Sequence, residues 1–126
     1  MSADPKEWLA KAEADFHSAN WGMQAPSPPG PNHDDTVFHC QQCIEKLMKG
    51  VLAAANVPFE RTHELNTLAQ MVEQTHPAWT WDSNALSMLQ PGAVLLRYPG
   101  VSATRQAALD AIAACTKLRA SRLPYY

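Results

Sequence analysis

The stretch from Asp34 to Ala55, DDTVFHCQQCIEKLMKGVLAAA, decides the fold. At about 100° per residue, Val37, Cys40, Ile44, Leu47, Met48, Val51 and Ala55 fall on one side of a helix. His39, Gln42, Lys46 and Lys49 fall on roughly the opposite side, with Glu45 beside them. Asp34 or Asp35 is placed to cap the helix start, where a carboxylate accepts free backbone N–H groups and complements the dipole. Asn56 to Pro58 ends the helix. A long helix with one apolar and one polar stripe is expected to be the central element of a small antiparallel bundle.

Working outward, the periods stay helical and strand signals are almost absent. Ser2 or Asp4 followed by Pro5 starts a first helix over about residues 4 to 20, with Trp8, Leu9, Ala12, Phe16 and Ala19 at helical spacing. Residues 21–33 are expected to be a proline-rich loop, because prolines 26, 28, 29 and 31 cannot continue a helix. On the other side, Thr62 caps a third helix through Leu65, Leu68, Ala69 and Val72 that ends before Pro77. A fourth starts near Ser83 with Leu86, Leu89, Val94 and Leu95 as its apolar set, and Pro91-Gly92 predicts a kink or break within it. Tyr98-Pro99-Gly100 stops it. A fifth runs from Ser102 to about Leu118, buried through Ala108, Ala111, Ile112, Cys115 and Leu118. The expected fold is all-α, an antiparallel up-and-down bundle of four to five helices forming one domain over residues 1–126.

Composition agrees with that picture and excludes several functions. A chain of 126 residues can bury roughly two thirds of its unfolded surface, so no metal or disulfide is needed for folding. The net charge of -2 gives no global attraction to nucleic acid, so any such contact has to come from a local patch. Three cysteines, an odd number, without a cleavable leader point to a reducing compartment, and cytoplasmic location is the expectation. The apolar runs are about half the roughly 20 residues that a membrane span requires.

Three segments together are similar to a known family. Val37-Phe38-His39-Cys40-Gln41-Gln42-Cys43-Ile44-Glu45-Lys46-Leu47-Met48-Lys49, then Val57-Pro58-Phe59-Glu60-Arg61-Thr62-His63-Glu64-Leu65, then Leu96-Arg97-Tyr98-Pro99-Gly100 resemble, in order and register, the signature of the HEPN (higher eukaryotes and prokaryotes nucleotide-binding) domain. The resemblance implies a helical bundle that is often a homodimer. It also implies a nucleotide- or RNA-related role, commonly beside a minimal nucleotidyltransferase in a toxin-antitoxin pair. Catalytic members are metal-independent ribonucleases with an Arg followed four to six residues later by His near the start of the last long helix. Here neither Arg97 nor Arg105 has a histidine in that window. A binding module is therefore favoured over an enzyme, with a degenerate ribonuclease and a purely structural dimerisation domain as alternatives.

The candidate ligand-binding residues are His39, Gln42, Glu45, Lys46 and Lys49 on the central helix, Arg61 and His63 after it, and Arg97 and Tyr98 in the later turn. Two ammonium groups and two hydrogen-bonding side chains on one face suit a nucleotide phosphate or a partner, with Glu45 organising the lysines. A solvated face or polar dimer seam is the plainer alternative, although Phe38 on that side suggests a partner surface. Arg61, Thr62 and His63 precede a helix, where N–H groups attract anions, but a cap with a packing histidine is the plainer reading. As catalysts only His39, His63 and Arg97 are candidates. No cofactor is expected. Cys40-x-x-Cys43 lies mid-helix, out of context for redox chemistry, and buried thiols explain it; His33-Asp34-Asp35 reads as capping and not as a metal site. Of Trp79 and Trp81, one is expected to cover the core and the other is available for base stacking. Lys117 and Arg119 to Arg122 form a short basic cluster, expected to be solvated.

Overall fold

In the computed structural model, which describes residues 4–26, 30–59 and 61–122, the order is α1 (Pro5–Gln24), α2 (His33–Ala54), α3 (Leu65–Thr75), α4 (Ser83–Leu89) and α5 (Arg105–Arg122). Short 3-10 turns at Gln90–Gly92 and Leu95–Arg97 link α4 to α5. The side chains of Arg97 and Arg122 lie outside the description, as do residues 27–29 of the proline-rich segment and Glu60. No strand occurs among the described residues, so the all-α expectation holds.

α1 starts as its sequence dictates, with the Asp4 carboxylate accepting from Lys6 N–H at 2.7 Å and Pro5 in the first turn. It runs to Gln24, past the expected end near residue 20, so Trp21 to Gln24 are helical and not loop. Tertiary contacts support this extra turn: Gly22 C=O accepts from Asn32 N–H at 2.8 Å, and the Thr36 hydroxyl donates to Ala19 C=O at 3.0 Å. A Cβ at Gly22 would collide with Thr36 Oγ1, so glycine permits this close crossing.

α2 is capped by Asn32, whose side chain accepts from Asp35 N–H at 3.0 Å; neither Asp34 nor Asp35 is the cap. Asp34 instead accepts from Ala103 N–H at 2.5 Å, tying the approach to α5 onto the head of α2. From Thr36 to Ala53 no residue of α2 is exposed. It packs on α1, α3, α5 and the Gln90–Gly92 turn, so both of its stripes are covered. The apolar stripe forms the core with Ile44, Leu47, Met48 and Leu52, joined by Leu65, Leu68, Val72, Leu86, Leu89, Ala111 and Leu118. α1 runs antiparallel to α2, since Trp8 lies beside Lys49, Asp15 beside His39 and Lys46, and Gly22 beside Thr36.

The connection after α2 doubles back along it. Val57 N–H donates to Leu52 C=O, and by His63 the chain is level with Gln41 and Glu45. Thr62 does not cap α3: Glu64 holds the cap position without a side-chain bond, and the free N–H of Leu65 donates to Gln90 Oε1 at 2.9 Å. Further on, Pro91-Gly92 breaks the fourth helix, as its residues predict. Val94 and Leu95 then fall outside the helix and are exposed, not core residues. α5 begins at Arg105 instead of Ser102, with Thr104 Oγ1 accepting from Ala107 N–H at 3.0 Å. Trp79 and Trp81 are both buried and stack on each other at 5.3 Å between centroids, so neither is offered to a base.

Candidate functional site

The polar stripe of α2 divides between two buried carboxylates. Asp15, projecting from α1, sits with Oδ1 2.7 Å from His39 Nδ1 and accepts from Lys46 Nζ through Oδ2 at 2.6 Å. The other nitrogen of His39 lies 3.5 Å from Asp35. His39 is thus engaged with carboxylates at both ring nitrogens, and Lys46 is neutralised within the chain.

Glu45 organises the second group, one helical turn or less away. Its Oε2 accepts from Lys49 Nζ at 3.0 Å, and its Oε1 accepts from Gln41 Nε2 at 3.1 Å and lies 2.8 Å from His63 Nδ1. Gln42 donates to Gln41 Oε1 at 2.7 Å, extending the chain of amides. Lys49 is buried and lies 5.9 Å from the ring centroids of both Trp8 and Phe59, which meet edge to face at 6.1 Å. A desolvated ammonium between aromatic rings and a carboxylate is well paired but closed to an outside anion.

His63 differs from every other member of these groups. Its side chain is 61% exposed while the Glu45 side chain that anchors it is 4% exposed. Its backbone is held as firmly: the His63 carbonyl accepts from Gln41 Nε2 at 3.0 Å and from Gln90 Nε2 at 3.1 Å. Glu45 fixes the ring through Nδ1 and leaves the Nε2 edge as its exposed end, an acceptor on the neutral ring and a donor to an anion on the protonated one. An imidazole positioned by a buried carboxylate with its far nitrogen open is the arrangement used where histidine moves a proton or contacts an anion. Arg61, two residues earlier, is exposed and makes no ion pair with any described residue.

The predicted residues are therefore gathered into three places. His39 and Lys46 share Asp15; Gln42, Glu45, Lys49 and His63 share one network with Arg61 next to it in the chain; and the turn of Arg97 and Tyr98 is elsewhere. Tyr98 is exposed. Its turn follows the Gln90–Gly92 segment that packs on Val37, so it belongs to the N-terminal end of α2, the end remote from Lys49. Nearby, Phe38, Leu96, Gly92, Asn32, Asp34 and Asp35 line a shallow groove of about 330 Å³.

Asp15, Gln41 and Gln90 are the members that sequence reasoning missed. Asp15 carried a signal, a carboxylate next to the apolar set Ala12, Phe16 and Ala19, and Gln41 lies one turn before Glu45. Gln90 carried none, because its two partners are brought to it only by the doubled-back connection. The remaining candidates have structural roles. Cys40, Cys43 and Cys115 are buried and free; the Cys43 thiol is pushed up by its hydrogen bond to Cys115 and by burial, and Cys115 is raised chiefly by its bond to Cys40. No group of three or more His, Cys, Asp or Glu among the described residues is arranged to hold a metal. Arg119 is not a solvated basic residue: it forms a two-pronged ion pair with Glu13 over the Phe16 ring, and that pairing pushes its guanidinium further up. No helix is long and apolar enough to cross a membrane among the described residues.

Comparison with known families matches residues 5–121 to the model of the HEPN domain. No curated protein and no solved structure matches this chain.

Proposed function

Because the chain belongs to the HEPN domain family, we propose that it is a nucleotide- or RNA-binding module whose phosphate contact is the Arg61–His63 segment. The observation that carries this reading is His63: a largely exposed ring locked by a buried glutamate, with a guanidinium of fixed charge two residues away. Lys46 and Lys49 support the site from inside and do not touch the ligand, since Asp15 and Glu45 already hold them. The module acts as a homodimer and as the HEPN partner of a minimal nucleotidyltransferase in a cytoplasmic toxin-antitoxin pair.

The test is fluorescence polarisation with a labelled single-stranded oligoribonucleotide, together with thermal shifts in ATP and GTP. A ligand that binds only the folded form raises its melting temperature. Arg61→Ala and His63→Ala are expected to weaken binding about tenfold each, the size of one charge-assisted contact of roughly 1.5 kcal/mol. Binding untouched by both changes, or no binding and no shift with any of these ligands, overturns the reading.

The same geometry favours a second reading, a metal-independent endoribonuclease in which His63 takes the 2'-hydroxyl proton, the 2'-oxygen bonds to phosphorus as the P–O5' bond breaks, the departing 5'-oxygen takes a proton from water or the imidazolium, and Arg61 stabilises the phosphate. The usual Arg-to-His spacing of the family is absent near the last helix, which keeps this reading second. It predicts RNA cleavage in EDTA that is lost in His63→Ala and retained in His39→Ala, whose ring nitrogens are occupied by Asp15 and Asp35. Cleavage that survives His63→Ala removes it.

A further inference from the structure

We infer that Gln90 is the positioning residue of His63, and that through it the 90–98 link, which bears the exposed Val94, Leu95 and Tyr98, decides whether the imidazole stays on Glu45. What this does to a ligand rests on the phosphate reading above; where the ring sits does not. Glu45 and Gln41 hold His63 from α2, and Gln90 holds it from across the fold. The Gln90 Nε2 donates to the His63 carbonyl at 3.1 Å, and its Oε1 accepts from the Leu65 N–H at 2.9 Å. One amide thus closes on the backbone at both sides of Glu64. The Leu65 N–H opens α3 and has no acceptor within that helix.

The His63 carbonyl carbon is bonded to the Cα that carries the side chain, so fixing the carbonyl fixes the direction in which the imidazole leaves the backbone. Glu45 could not do this by itself, because one hydrogen bond offsets the ordering of only about one residue. Gln90 in turn stands on a stiff base. Its own N–H donates to Leu86 C=O, its C=O accepts from Ala93 N–H at 3.0 Å, and Pro91 follows with a fixed φ. Gly92 then lies so close to α2 that an added Cβ would stand 2.6 Å from Val37 C=O. The link therefore cannot shift on α2 without carrying Gln90 along. Past Ala93 it presents Val94, Leu95 and Tyr98 to solvent. A pull on that apolar edge reaches the His63 backbone through Pro91 and Gln90, a contiguous path of bonded and hydrogen-bonded groups. Once released, the ring leaves Glu45 and the phosphate contact weakens.

The experiment is NMR of the full chain, following the nuclear Overhauser contact between the His63 ring and the Glu45 side chain in wild type, Gln90→Glu, Gln90→Met and Gly92→Ala. Gln90→Glu keeps an oxygen for the Leu65 N–H but sets a carboxylate against the His63 carbonyl. The Leu65 amide is expected to stay protected from exchange there while the ring contact is lost, which separates positioning from capping. Gln90→Met is expected to lose the contact too, with Leu65 exchanging about tenfold faster, the worth of one hydrogen bond. Gly92→Ala touches neither His63 nor Glu45 and is expected to lose the same contact. Melting curves check that each variant is folded; if Gly92→Ala is not, Pro91→Gly, which frees φ beside Gln90, replaces it with the same expectation. A ring that stays on Glu45 in folded Gln90→Glu and Gln90→Met overturns the role of Gln90, and one that stays in folded Gly92→Ala overturns control by the link. With the labelled oligoribonucleotide, Gln90→Met is expected to weaken binding about as much as His63→Ala and to cost nothing further in a His63→Ala background; an added loss there overturns action through His63. Ring release with binding unchanged in every variant overturns the phosphate reading and leaves the placement of the ring standing.

Discussion

At the scale of single residues, the chemistry of this bundle depends on which polar groups are buried and which are left open. Glu45 and Lys49 form a buried ion pair, and such a pair adds little net stability when complete but is costly to break, because the survivor has no water to return to. Lys49→Met is therefore expected to lower unfolding free energy by about 3–5 kcal/mol in urea titration. A loss below about 1 kcal/mol would mean that Glu45 is adequately solvated without its ammonium. Part of this network was legible in advance: Glu45 one residue before Lys46 and four before Lys49, on the polar side of a helix, is a sequence pattern. What the pattern could not tell was that the lysines turn toward Asp15 and Glu45 and that His63, not either lysine, keeps a free functional atom. That depends on α1 and on the returning connection, which no spacing within α2 encodes.

At the scale of elements, local rules located the helices and tertiary contacts moved their ends. The break at Pro91-Gly92 followed from the ring and the missing N–H of proline, and it is where the chain turns so that Gly92 meets the backbone of α2. A Cβ there would stand 2.6 Å from Val37 C=O, a backbone atom that cannot swing aside. Gly92→Ala is thus expected to push the turn off α2 and cost about 1–3 kcal/mol, read as a lower midpoint in thermal or urea unfolding. An unchanged midpoint would show that the contact yields freely. Thr62 failed as a cap for a related reason. Gln90, in the same turn, reaches the Leu65 N–H first, and a long-range cap of this kind leaves no mark near the helix it serves.

At the scale of the whole molecule, α2 is enclosed by the other helices; its apolar stripe predicted burial of one face, and the covering of its polar face by α1 and the returning connection was not legible in it. The three thiols report on it. All are fully buried, and two are raised well above an ordinary thiol by their mutual hydrogen bonds and by burial, so the reactive thiolate is scarce at any working pH. Native protein at pH 8 is expected to resist a colorimetric disulfide reagent for hours, and guanidinium-unfolded protein to release all three equivalents at once. Rapid native labelling would show that α5 lifts from α2.

The pairing of Glu13 with Arg119 joins helices from opposite ends of the sequence, across a separation of 106 residues. As the polypeptide leaves the ribosome, the α1–α2 hairpin emerges first, and the flank of α2 around Cys40 and Cys43 stays uncovered until residues 105–122 follow. A translation product halted before that point is a sticky half-assembly and a client for chaperones.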